Sequence, residues 1–150
     1  MYAVADIAKW FLSKDSMTHK KLQKLCYYAQ AWSCALFAGD RLFEDEIQAL
    51  VHGPVTPSLY RQFSKYGWKE MPKENCNCSL FSDDALYVLN AVYNTYGEFT
   101  GDQLEWLTHS EFPWQEARGD LKPWEVCTMP ISCETMRKYY AKKYEEAQND

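Results

Sequence analysis

No apolar run in this chain is longer than a few residues, so no segment reads as a membrane-spanning helix. Glycine and proline are scarce, six of each in 150 residues, which leaves no material for a flexible linker, a low-complexity tract or a glycine-rich phosphate loop. No G-x-S-x-G elbow, Walker loop, H-E-x-x-H pair or dinucleotide fingerprint occurs, and no enzymatic activity is expected. Positive charge is also in deficit. Sixteen basic against 21 acidic residues give a net charge of −5, whereas a duplex-DNA binder carries a basic footprint, so nucleic acid is disfavoured as the main partner. The start Met1–Asp6 lacks the charged and apolar regions of a signal peptide, and a cytoplasmic protein is expected. No run of alternating polar and apolar residues argues for a substantial sheet.

What is abundant is aromatic: 6 Trp, 11 Tyr and 7 Phe make up 16% of the chain. Rings at this density fill a core or form a binding face, and composition leaves both open. Six cysteines are an even number, but disulfide frameworks belong to small secreted domains. Cys26 and Cys34, eight residues apart on one helix, are about 12 Å distant by helix rise and cannot pair. Cys76 and Cys78 form the only close pair, and their spacing of one residue falls outside the two to four of zinc knuckles. Free thiols are expected, with no metal and no cofactor.

Helical periodicity dominates. Val4, Ile7, Ala8 and Phe11 mark a first helix over 2–12. Thr18 is placed to cap a second, over 18–38, whose stripe of Leu22, Leu25, Cys26, Ala29, Ser33 and Leu36 is widened by Tyr28 and Trp32. A helix apolar over so much of its circumference is central, and Gly39 is its natural stop. The stretch 42–51 reads as a short helix or as extended chain, so one short β pair is allowed there. Gly53-Pro54 should be a fixed turn, and Thr56-Pro57 opens another helix ending near Gly67. Ser82 caps a helix to Gly97, Thr100 and Gln103 fit a capping box, a helical turn precedes Gly119, and Ser132 caps a last helix. The expectation is an all-α, single-domain bundle over 1–150, with about six helices around the central one.

Four ordered motifs carry a resemblance. They are Thr18-x-x-Lys21-Leu22-Gln23-Lys24-Leu25-x-Tyr27-Tyr28-Ala29-Gln30-x-Trp32, then Ile47-Gln48-Ala49-x-x-x-Gly53-Pro54-Val55-x-Pro57-x-Leu59-Tyr60, then Leu104-x-x-Leu107-Thr108-His109-x-Glu111-x-Pro113-Trp114, and Ile131 with Met136, Tyr139 and Tyr140. Together they resemble the Panacea antitoxin domain, also called the Soc-type or phage-associated GepA-like domain. An aromatic usually stands at the Leu50 position and often at His52, so the chain departs slightly there. The resemblance implies a largely helical, cytosolic protein of bacteria and prophages. It implies an antitoxin that neutralises a cognate protein toxin by direct contact, masking it or presenting it to a host protease. A DNA-associated transcriptional regulator and a phage-encoded protein acting on a host factor are the alternatives.

Candidate partner-binding residues are Lys20, Lys24, Tyr27, Tyr28, His52 and Trp114. Lys20, Lys21 and Lys24 crowd the start of a helix, where cations oppose the dipole, so helix stability does not explain them. Lys20 and Lys24 point away from the core stripe and form either a basic patch for an acidic partner or a solvated face. Tyr27 and Tyr28 form an aromatic edge beside them. His52 and His109 adjoin the motifs as functional groups or as hydrogen-bonded structural ones. Thr18, Leu22, Leu25, Gly53, Pro54, Pro57 and Pro113 are read as structural.

Overall fold

A computed structural model describes residues 1–149 and is mainly α. The elements run α1 (Val4–Lys14), β1 (Met17–Thr18), α2 (His19–Leu36), β2 (Gln48–Leu50), β3 (Gly53–Val55), α3 (Pro57–Phe63), β4 (Glu70–Met71), α4 (Asp83–Tyr96), α5 (Gly101–His109), α6 (Phe112–Arg118) and α7 (Cys133–Gln148). Seven α-helices stand among the described residues where the sequence suggested about six, because the turn before Gly119 closes fully as α6.

Helix α2 is the axis of the molecule. Leu22, Leu25, Cys26, Tyr27, Tyr28, Ala29 and Ala31 are all buried, and α1, α4, α5 and α7 pack around it. Its ends are set locally. The Thr18 hydroxyl accepts the Lys21 N–H at 3.2 Å. At the other end Ala38 turns to φ +52°, and Gly39 donates its N–H to Cys34 O at 2.8 Å, the Schellman closure. The left-handed residue is therefore Ala38, with Gly39 beyond it, rather than Gly39 alone. Ser82, Thr100 and Ser132 cap α4, α5 and α7, and the Thr100–Gln103 box is reciprocal.

The β structure is two small antiparallel pairs. Met17–Thr18 pairs with Glu70–Met71, and Gln48–Leu50 pairs with Gly53–Val55. Gly53-Pro54 is thus not the turn itself. The turn is Val51-His52, and Gly53 and Pro54 open the returning strand. Gly53 sits at φ +105°, a conformation open to glycine, and Pro54 faces Ala49 at a pair where its missing N–H breaks no ladder bond. Residues 129–131 add a third, irregular strand: Ala49 N–H donates to Met129 O at 3.0 Å, and Ile131 N–H to Ile47 O at 2.7 Å.

Residues 40–56 form a strap lying against α2, and outside the β2–β3 hairpin its backbone has few backbone partners. Side chains of α2 supply them. The Gln30 amide accepts from Leu42 N–H at 2.7 Å and Phe43 N–H at 3.3 Å, and donates to Phe43 O at 2.7 Å. One heptad earlier, Gln23 accepts from Thr56 N–H at 2.8 Å and donates to Thr56 O at 3.1 Å. Seven residues are nearly two helical turns, so both amides lie on one face and each docks on backbone as a neighbouring strand would. Ser33 completes the row by donating to Asp40 O at 2.8 Å. Burying these backbone groups unpaired would cost about 1–3 kcal/mol each, so the row decides whether the strap docks.

Candidate functional site

The second motif lands on top of the first. Below the β2–β3 hairpin, Lys24 is only 1% exposed and donates its amine to Pro54 O at 3.3 Å. A Cβ on Gly53 would lie 2.7 Å from Lys24 Cε and 3.1 Å from Thr108 Oγ1, so glycine is needed for this close approach as well as for its φ. Burial, aided by the charge of Lys20, pushes the Lys24 amine down to about 7, with Glu105 opposing. His19, one turn earlier, is pushed down to about 4 by burial and then by Lys24. Its neutral ring lies 3.0 Å from the Gln23 amide nitrogen.

The third motif clamps the hairpin from the other side. Trp114 Nε1 donates to Leu50 O at 2.9 Å, and Arg118 Nη1 to Ala49 O at 3.0 Å. Arg118 also lies over the Trp114 ring at 4.9 Å and donates to Lys122 O and Glu125 O, tying the 120–125 loop down. His109 stacks on Trp114 with ring centroids 4.0 Å apart, and burial holds its pKa below the usual histidine value. Its Nε2 is the one buried side-chain polar atom without a partner among the described residues.

At the hairpin tip the chain reaches solvent. His52 is exposed and meets Glu105 Oε2 at 3.2 Å. Lys20 bridges Asp102 Oδ1 at 2.7 Å and Glu105 Oε1. Burial works against the Lys20 charge, but the hydrogen bonds it donates to Asp102 and Glu105 outweigh it and hold its pKa above normal. For Glu105 burial likewise opposes ionisation, while the bonds to Lys20 and His52 keep the carboxyl below its usual range.

A second polar cluster sits deeper. Glu111, 2% exposed, accepts from Tyr28 OH at 2.7 Å, Tyr140 OH at 2.9 Å and Lys143 Nζ at 2.9 Å. The hydroxyls of Tyr27 and Tyr140 are 2.9 Å apart, and Tyr28 stacks on Tyr96 at 4.0 Å. Burial, first of all, raises the pKa of Tyr27, Tyr28 and Tyr140. This cluster joins α2 to α6 and α7 around one buried carboxylate.

These positions correct the expected exposure of several residues. Lys24, Tyr27 and Tyr28 are buried, because α5, the hairpin and α7 cover the flanks of α2 that the helical wheel leaves open. There is accordingly no exposed basic patch at Lys20 and Lys24: one lysine is under the hairpin and the other is neutralised by two carboxylates. Trp114 is buried at the clamp, and of the six candidates Lys20 and His52 reach solvent. Thr18, Leu22, Leu25, Pro57 and Pro113 stand as a cap, two core residues and two helix-start prolines. Gln23, Gln30 and Glu111 stand in the motifs, but their roles as strap-holders and buried carboxylate were not read from sequence, and the clamping Arg118 lies outside the motifs. A charged or amide residue within an apolar stripe was the available signal.

The six cysteines are free, and no group of three or more His, Cys, Asp or Glu residues among the described residues could hold a metal. No described helix is long and apolar enough to cross a membrane. A family model described as Antitoxin SocA-like, Panacea domain, matches residues 22–115, from the core of α2 through the hairpin and α5 into α6. No curated protein and no solved structure matches the chain. The chain belongs to the SocA-like antitoxin family.

Proposed function

We propose that this Panacea-domain protein is an antitoxin that binds a cognate protein toxin directly and neutralises it in the cytoplasm, by masking it or by presenting it to a protease. The observation that carries the reading is the family match over 22–115, the span in which Lys24 and Trp114 hold the β2–β3 hairpin from its two sides. Lys20 and His52 are proposed to border the partner contact, each held by Glu105 at the solvent end of that hairpin. Lys24, Tyr27, Tyr28 and Trp114 shape the surface from beneath. Stoichiometric binding needs a preorganised surface and no reacting group, and rigid interfaces lose less entropy on association.

A DNA-associated regulator gains no support from the charge distribution. The chain is net acidic, and its densest lysine cluster is consumed internally. The test is to express the neighbouring reading frame in a bacterial host, alone and together with this chain. Growth arrest relieved by co-expression, with a co-purifying complex, supports the proposal. A neighbour that is harmless and never binds removes it.

A further inference from the structure

We infer that the outer face of α5, with Phe99 at its approach, is where the toxin docks, and that the docking segment is basic with an apolar anchor. The inference rests on the antitoxin reading and deepens it.

Helix α5 is amphipathic in an unusual way. Its inner face buries Leu104 completely, yet its outer face carries Trp106 at 78% exposure, with Leu107 half-buried beside it. Phe99, 40% exposed, closes the other side of a shallow cleft of about 440 Å³ that Asp102 and Gln103 also line. A tryptophan on solvent beside further apolar surface gains nothing for folding, and aromatic side chains dominate binding hot spots.

The face is held rigid. The Thr100–Gln103 capping box fixes the first turn of α5. A Cβ on Gly101 would come within 3.1 Å of the Lys21 backbone nitrogen, so α5 begins pressed onto α2. Lys20 ties Asp102 and Glu105 to α2 as well, and the Glu105 bond to His52 joins the face to the hairpin tip. A partner therefore meets a formed surface.

Its charge selects the occupant. Asp102 lines the cleft with its side chain 87% exposed and paired on one side only, by Lys20, and Glu98, next to Phe99 in sequence, is exposed as well. The nearby cations are turned inward: Lys20 lies between Asp102 and Glu105, and Lys21 Nζ donates to Gly97 O at 2.5 Å. A second copy of the chain would bring Glu98 and Asp102 against like charges across a two-fold axis, and the net charge of −5 adds to that repulsion. A basic segment inserting an apolar side chain between Phe99 and Trp106 meets no such penalty.

The test uses the purified chain and the polypeptide encoded by the neighbouring reading frame. Trp106→Ala and Phe99→Ala remove exposed rings, so helical circular dichroism and melting temperature should stay as in the wild type. Trp106→Ala should weaken the complex about 30-fold or more and abolish rescue of growth. Glu98→Lys should slow association several-fold and flatten its salt dependence. Trp68→Ala and Trp124→Ala, which remove rings that are equally exposed elsewhere, should change nothing. If the wild type rescues growth while Trp106→Ala and Phe99→Ala bind within about threefold of it, the docking face is wrong and the antitoxin reading stands. Loss of binding in Trp68→Ala or Trp124→Ala, or a Trp106-dependent homodimer in sedimentation, overturns the face equally. A wild type that neither binds nor rescues removes the reading and the inference together.

Discussion

Replacing Lys24 by methionine isolates what the buried amine does to the fold. The folded pKa lies at about 7 against 10.5 for a free lysine, so between those values the unfolded chain holds a proton that the folded chain has lost. Stability therefore rises with pH across that window, and the full penalty is present at and below about pH 7. At about 1.4 kcal/mol per pKa unit the shift corresponds to roughly 5 kcal/mol. Methionine keeps most of the volume but leaves Pro54 O without its donor, which costs about 1–3 kcal/mol. Lys24→Met should thus be more stable than the wild type by about 2–4 kcal/mol near pH 6. Near pH 9.5 the remaining penalty of about 1.4 kcal/mol is cancelled by the lost hydrogen bond, and the difference should vanish. The window closes above about pH 10, where the raised pKa values of Tyr27, Tyr28 and Tyr140 make the folded state lose stability as pH climbs. Urea unfolding of both proteins at about pH 6, 8 and 9.5 reads this directly. A methionine variant that is less stable near pH 6, or a difference that does not change with pH, refutes the reasoning.

Three further perturbations probe the same architecture. Gln30→Leu strands the Leu42 and Phe43 amides and the Phe43 carbonyl, and should destabilise by about 3 kcal/mol or more, with proteolytic cleavage appearing first within 40–56. Gly53→Ala forces a β-carbon into Lys24 at a positive φ; a loss of about 2–4 kcal/mol is expected, and adding Lys24→Ala should recover part of it, as a double-mutant cycle by denaturation will show. Glu111→Gln retains an acceptor for Tyr28 and Tyr140 and should cost about 1–2 kcal/mol, whereas Glu111→Ala orphans the Tyr28 hydroxyl, leaves Tyr140 only the Tyr27 hydroxyl and should cost about 3–5 kcal/mol in the same assay.

Much of this fold could be read from the chain because its helices announce themselves at both ends. Thr18, Ser82, Thr100 and Ser132 each cap the helix that follows, and the stripe of α2 identified it as central. The β pairs were hardly legible, since strands of two or three residues have no period to detect. The candidate site was half legible. The motifs that mark Lys24, Gly53, Pro54 and Trp114 do meet in space, but a helical wheel cannot say which polar flank another element will cover. Lys24 and Tyr27 read as surface for that reason, and α5, the hairpin and α7 bury them. The glutamines were invisible as strap-holders because their partners are backbone groups of a segment with no periodicity. The outer face of α5 was not legible because Trp106 stands at an unspecified position of a motif in which Leu104, Thr108, Glu111 and Trp114 are buried.

Amide hydrogen exchange at Leu42 and Thr56 tests most directly the claim that α2 side chains hold the strap in place. Both N–H groups donate to glutamine side chains, at Gln30 and Gln23, rather than to any helix or strand ladder. If those contacts fix the strap, both amides exchange at rates set by global unfolding, close to those of the α2 core, and Gln30→Leu releases Leu42 selectively. Exchange within seconds in the wild type, at the rate of an open loop, would contradict the account.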